Sequence, residues 1–215
     1  MGREQLGPYA LEQEEGVFSL GMDALALGEF VTLRPKWKVC DLGTGSGALL
    51  LMMARRADGL DLYGVEREEA AARLARRNLD GNGLEGVIWQ GDWQDAPFEP
   101  GSFQLVVSNP PYFPRSSGAW GGDSRMESGD GLEGLCRCAA RLVKNGGRFA
   151  LCHRPDRLTD LMIALRSCGL EPKRMQMIAH TPAHSPAVVL VEAVRQGKPG
   201  LAVLPTRFVQ ERSTL

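Results

Sequence analysis

Apolar positions along this chain fall into two alternating rhythms. WKVCDLG (Trp37–Gly43), DLYGVE (Asp61–Glu66), GVIWQGD (Gly86–Asp92), FQLVVS (Phe103–Ser108) and RFALCH (Arg148–His153) are short apolar runs closed by glycine or polar residues, and they predict five strands. Helical spacing fills the intervals. Leu20, Ala24, Leu27 and Val31 mark one face of a helix in Gly16–Val31, and Ala48–Ala57 begins apolar nearly all round, as a helix buried against a sheet does. Arg67–Gly83 carries acids in its first turn, arginines late and a glycine stop, with Glu69 and Arg73 spaced as an i,i+4 ion pair. Leu132, Leu135, Cys136, Ala139, Leu142 and Val143 outline a fourth helix stopped by Asn145–Gly147, and Asp156–Cys168 a fifth ended by Gly169. Two late strands, around Lys173–Ala179 and Ala187–Val194, flank the proline-bearing turn TPAHSP (Thr181–Pro186). Met1–Gly16 is polar and mixed and predicts a loosely attached segment, while Gln196–Pro205 reads as a Gly/Pro-punctuated extension.

Strands alternating with helices and followed by a hairpin predict an α/β fold: a seven-stranded, mostly parallel sheet with helices on both faces and a C-terminal antiparallel hairpin. Ligands of such sheets sit at the carboxyl ends of the strands. Every chemically suggestive motif in this chain falls at such an end. The 215 residues suffice for a full core, and a net charge of −1 gives no overall positive field, so a polyanionic partner has to be met by a local patch. The five cysteines, odd in number and mostly inside apolar runs, read as reduced thiols of a cytoplasmic protein. Cys136 and Cys138 point to different faces of one helix and lack the companions of a zinc site, so no metal is expected. No apolar run reaches membrane-spanning length, and no membrane partner is expected. The pattern carries no signature of oligomeric state.

DLGTGSGA (Asp41–Ala48) is the first motif. Gly43, Gly45 and Gly47 let backbone approach a nucleotide-like ligand where a β-carbon would collide. Gly43, Gly45 and Ala48 also satisfy the loose dinucleotide pattern G-x-G-x-x-A. Asp41 tilts the choice. Beside a pyrophosphate it would repel, whereas beside the cationic amino-acid end of S-adenosylmethionine it attracts, directly or through water. Glu66 ends the second strand, where a carboxylate accepts from both ribose hydroxyls, a feature shared by enzymes of either cofactor. Asp92 follows the third strand and suits either an adenine amino group or an Asp turn.

VVSNPPYFPRSSG (Val106–Gly118) is the most telling stretch. Prolines cannot serve a sheet interior, so Pro110 and Pro111 make a stiff corner at the end of the fourth strand. The Asn109 amide oxygen and the Pro110 carbonyl are two acceptors on that corner. A planar NH2 conjugated to a ring is a poor nucleophile, and two acceptors holding its two hydrogens favour a pyramidal nitrogen with a free lone pair. Tyr112 adds a ring on which a flat base or amide stacks. The Gly/Ser-rich loop Phe113–Gly129, with Phe113, Arg115, Trp120 and Arg125, reads either as a lid that folds over RNA, its aromatics stacking and its arginines meeting phosphate, or as a disordered insertion.

DLGTGSG, Glu66, Asp92 and SNPPY, in this order, resemble class I S-adenosylmethionine-dependent methyltransferases that modify planar nitrogens. FSLGMDALALGEFV ahead of the first strand and VVLVEAVRQGKPGLAVLP at the end are similar to the bacterial tRNA(Val) adenine-N6 methyltransferase family, which acts on the adenine beside the anticodon. The resemblance implies a Rossmann-like methyltransferase domain over 37–215, with 1–36 packing over the cofactor site. It implies that Asp41, Gly43, Gly45, Gly47, Glu66, Asp92 and Asn109 contact S-adenosylmethionine, with Phe18, Ser19 and Asp23 closing over it. Asn109, Pro110 and Tyr112 would hold the target nitrogen, with Pro111, Phe113, Arg115 and Arg125 on the substrate, an RNA and most simply a tRNA. AHSPA (Ala183–Ala187) carries no added positive charge and SRMESGDG (Ser124–Gly131) is acidic, so neither supplies a phosphate clamp. NPPY also suits a glutamine side-chain amide, as in release-factor methyltransferases, and DNA adenine methylation is a further alternative. A non-catalytic nucleotide-binding RNA scaffold is the alternative outside enzymes.

Overall fold

The structure, a computed structural model, describes residues 2–17, 20–110 and 129–209. In chain order the elements are β1 (Gly2–Leu6), β2 (Tyr9–Gln13), α1 (Met22–Phe30), β3 (Lys38–Leu42), α2 (Ala48–Ala54), β4 (Asp61–Glu66), α3 (Glu69–Gly81), β5 (Gly86–Gln90) and β6 (Phe103–Ser108). They continue with α4 (Gly129–Leu142), β7 (Val143–His153), α5 (Leu158–Ser167), β8 (Leu170–Ala179), β9 (Val188–Arg195) and β10 (Ala202–Phe208). The last eight strands form one sheet in the order β10-β8-β9-β7-β6-β3-β4-β5. Neighbours are parallel except at β9, which runs antiparallel to both β7 and β8.

The sheet therefore has eight strands where seven were expected. The extra one is β10, which pairs parallel with β8 at the sheet's edge. Pro205 falls where the β10–β8 register shifts, between Leu204 and Arg207, a place where a ladder tolerates a missing N–H. The amino terminus also departs from expectation. β1 and β2 form an antiparallel hairpin, and its Leu6 and Leu11 are buried in the core rather than loosely attached.

The sheet separates two apolar layers. One joins the hairpin, α1, α2 and α3 to Val39, Leu105, Val107 and Leu190; the other joins α4 and α5 to Cys40, Val106, Phe149 and Val191. Consecutive strand residues thus face opposite layers, as a two-sided sheet requires. α1 and α2 pack closely because Gly28 has no side chain: a β-carbon there would stand 2.7 Å from Met52 Cε. Arg56, just past α2, donates to the Gly28 and Val31 carbonyls, and Arg55 pairs with Glu29 at 3.7 Å. The carboxyl ends of the two helices are therefore held together.

A buried charge ties α1 to the sheet. Glu192 on β9 is wholly buried and accepts from Thr32 N at 2.7 Å, Thr32 Oγ1 at 2.9 Å, Arg148 Nη1 at 2.8 Å and Arg174 Nη1 at 3.2 Å. Arg174 also donates to the Phe30 carbonyl and lies over the Phe30 ring at 4.7 Å.

Candidate active site

The carboxyl ends of β3, β4, β5 and β6 are adjacent in the sheet, so Asp41, Glu66, Asp92 and Asn109 gather along one rim. After β3 the chain turns through Gly43, Gly45 and Gly47, with φ of 79°, 55° and 80°, a backbone conformation that side chains disfavour. A β-carbon at Gly43 or Gly45 would meet open space, so the loop presents bare backbone there. Three supports hold it. The Val65 carbonyl accepts from Gly43 N and Thr44 N, both at 2.9 Å; Glu66 Oε2 accepts from Gly45 N at 2.8 Å; and the Ser46 carbonyl accepts from Asn78 Nδ2 at 2.9 Å.

Glu66 Oε1 accepts from Glu68 N at 2.9 Å. Each oxygen thus spends one lone pair on backbone and keeps another for a ligand hydroxyl. Asp92 caps the short turn Trp93–Asp95, accepting from Gln94 N at 3.1 Å, so its turn-forming role is present in the structure. Asp23 sits in the first turn of α1 and accepts from Ala24 N at 2.8 Å.

Asp41 is the anomalous group. It is 1% exposed, and neither of its carboxylate oxygens, nor Thr44 Oγ1 beside it, has a hydrogen-bond partner among the described residues. Burial pushes its carboxyl from the ordinary 3.8 up to about 7; the nearby Thr44 hydroxyl opposes the rise and the charge of Glu66 adds to it. An orphaned acid beneath an open glycine loop fits a ligand that carries a positive charge and supplies donors.

On β6, Ser108 Oγ donates to the Leu42 carbonyl at 2.7 Å, fastening the strand's last residue to β3. Ser108 pairs with Leu151, which sets Asn109 beside Cys152 of β7. The Cys152 thiol donates to Asn109 Oδ1 at 2.6 Å, a contact that only the strand register reveals. A thiol is a weak donor and takes one of the two lone pairs, leaving the amide oxygen an acceptor. Pro110 is buried behind it. Phe18, Ser19, Pro111, Tyr112, Phe113, Arg115 and Arg125 lie outside the described residues, as does the Phe113–Gly129 loop apart from its last residue.

A profile of the methyltransferase small domain matches residues 9–152. The chain belongs to that family. It is an S-adenosylmethionine-dependent methyltransferase, and the non-catalytic scaffold alternative falls away. Among curated relatives, a tRNA1(Val) (adenine(37)-N6)-methyltransferase from Porphyromonas gingivalis is 30% identical over 86% of this chain and 77% of its own. A 4-amino-L-phenylalanine/4-methylamino-L-phenylalanine methyltransferase from Streptomyces pristinaespiralis is 36% identical over 61% of this chain and 48% of its own. A release factor glutamine methyltransferase from Xylella fastidiosa is 33% identical over 62% of this chain and 52% of its own. In three dimensions the chain is similar to a predicted O-methyltransferase from Agrobacterium tumefaciens, with TM-score 0.73 at 22% identity over 90% of each chain, in keeping with the Rossmann-like methyltransferase fold.

The Asp41 carboxyl gives this enzyme a testable pH dependence. Unfolded, the side chain ionises near 3.8; folded and without cofactor, it keeps its proton up to about 7. Between these values the folded state binds more protons, so the stability of the cofactor-free protein falls as pH rises from about 4 to 7. Asp41→Asn is expected to remove that slope, raising the thermal midpoint over wild type at pH 8 and matching it near pH 4. It is also expected to weaken S-adenosylmethionine binding. Thermal unfolding across pH 4–8 checks the first result and calorimetry the second; parallel pH profiles would contradict the assignment.

Proposed function

We propose that the protein methylates the exocyclic N6 of an adenine in RNA, a tRNA near its anticodon, in the cytoplasm. The observation that carries this reading is the Asn109–Pro110 corner, fastened to β3 through Ser108 on the rim that bears the glycine loop, Asp41 and Glu66. When bound, S-adenosylmethionine supplies an electrophilic methyl group on a sulfonium. Asp41 meets its ammonium end, Glu66 its ribose hydroxyls and Asp92 its adenine. The segment before residue 37 packs over it through Phe18, Ser19 and Asp23.

Asn109 Oδ1 and the Pro110 carbonyl accept the two hydrogens of the target amino group, which localises the nitrogen lone pair for attack. Tyr112 and Phe113 stack on the base, Pro111 stiffens the corner, and Arg115 and Arg125 meet phosphate. A base stacked in the free RNA has to be extruded first, at a cost of a few kcal/mol. No strong general base is required, because the alkylated nitrogen would be acidic enough to give its proton to water.

The relatives support a planar nitrogen as the target. Their names give an adenine N6, an aromatic amine and a glutamine, each carrying a nitrogen conjugated to a π-system. The adenine reading draws on the relative with the widest shared coverage of these three. A glutamine side chain is the second reading, favoured by the release-factor relative and by the near-zero net charge. Incubating the protein with methyl-labelled cofactor and bulk unmodified tRNA, DNA or protein, followed by mass spectrometry of nucleosides and amino acids, separates them. N6-methyladenosine in tRNA is the expected product; label in glutamine alone would replace the RNA reading.

A further inference from the structure

β2 pairs with β1 along one edge, and its other edge, at Ala10 and Glu12, faces α3. Two asparagine side chains there stand in for a third strand. Asn82 Oδ1 accepts from Ala10 N at 2.8 Å while Asn82 Nδ2 donates to the Ala10 carbonyl at 2.8 Å. One helical turn earlier, Asn78 Oδ1 accepts from Glu12 N at 2.8 Å and its Nδ2 donates to the Glu12 carbonyl at 3.0 Å. The spacings agree: four residues of helix rise about 6 Å and two residues of strand about 6.8 Å.

Each amide nitrogen has a second hydrogen, and the two are used differently. That of Asn82 returns to its own helix, at the Asn78 carbonyl. That of Asn78 leaves the helix and reaches the Ser46 carbonyl at 2.9 Å, inside the glycine loop. Asn78 is 2% exposed and Ser46 is buried, so water cannot replace the bond. The loop's other two supports, the Val65 carbonyl and Glu66, belong to the end of β4 and are fixed by the sheet. The third depends on the hairpin: Glu12 N–H demands the oxygen end of the Asn78 amide and the Glu12 carbonyl demands the nitrogen end. The remaining N–H is thereby aimed at Ser46.

We infer that Asn78 is a positioning residue for the cofactor, through which the amino-terminal hairpin holds the glycine loop in the shape that S-adenosylmethionine binds. This goes beyond the choice of substrate and stands with either one. Coupling is reciprocal, so cofactor binding tightens hairpin docking by the factor that docking tightens binding.

Asn78→Ala and Asn82→Ala separate this role from plain structural support, since both remove a pair of hairpin bonds and only the first removes the bond to the loop. Both variants are expected to lower the thermal midpoint. Measured by calorimetry well below either midpoint, Asn78→Ala binds S-adenosylmethionine about tenfold more weakly than wild type, and Asn82→Ala within about threefold. Equal affinities for the two variants, whether both near wild type or both weakened alike, would overturn the inference. A second measurement needs no variant. Adding S-adenosylmethionine to the wild-type protein slows hydrogen exchange at the Ala10 and Glu12 amides by about tenfold, and unchanged exchange there would overturn it as well. A wild-type protein that bound no S-adenosylmethionine would remove the cofactor reading instead.

Discussion

Asn109→Ala is expected to lower turnover by about 10²–10³-fold while leaving S-adenosylmethionine affinity within about twofold of wild type. The size follows from the role proposed for the amide oxygen. In that role a positioned acceptor acts on charge that develops on the nitrogen as it attacks, so truncation removes a bond that is strongest in the transition state. In the proposed reading the main cofactor contacts lie on other strands: the loop hangs on Val65, Glu66 and Asn78, and Asp41 is on β3. Single-turnover methyl transfer and calorimetry on the same preparation give both numbers. Turnover within threefold of wild type would take Asn109 out of the chemistry; equal losses in affinity and turnover would make it a binding residue.

The second large effect is on stability. Glu192→Ala is expected to cost about 3 kcal/mol and to lower the thermal midpoint by roughly 6–12 °C for a chain of this length. Glu192 has no exposure and four donor contacts, so its loss strands the Thr32 N–H, leaves the Thr32 hydroxyl only its bond from Arg174 and sets two guanidinium groups facing each other. The arginine side chains are 28% and 31% exposed and can turn toward water, which keeps the cost at the lower end for a broken buried pair. Differential scanning calorimetry reads the shift. A midpoint within 2 °C of wild type would mean that the network is no net support. Because Thr32 follows α1, the loss is also expected to loosen that helix from β9.

Much of this architecture is legible in the chain. DLYGVE and FQLVVS are β4 and β6 residue for residue, because each is an apolar run with a turn at its end. Glu69 and Arg73 do pair, at 2.7 Å. What escaped detection has a common cause. Arg56, Arg76 and Arg141 look like solvated helix charges, yet each donates to backbone carbonyls of a distant segment: Gly28 and Val31, Ile88, and Ala96 with Phe98. Such partners are set by packing and leave no local pattern. β10 is mostly exposed and so lacks the apolar alternation by which strands are read. The hairpin did leave a signal, Gly7-Pro8 between GREQL and YALEQ, but a single buried leucine on each strand is faint. The acids and Asn109 stand out in the sequence because glycine and proline punctuate them, and the strand order sets them along one rim. The Cys152 contact and the Asn78 bridge need the register and the docked helix before they exist at all.

The direction of β10 has a practical consequence. It runs parallel to β8, and Val209 N donates to the Ala179 carbonyl at the end of that strand. Val209 therefore stands at the same end of the parallel strands as Asp41, Glu66 and Asn109. A purification handle or fluorescent partner joined behind this strand would start from that rim.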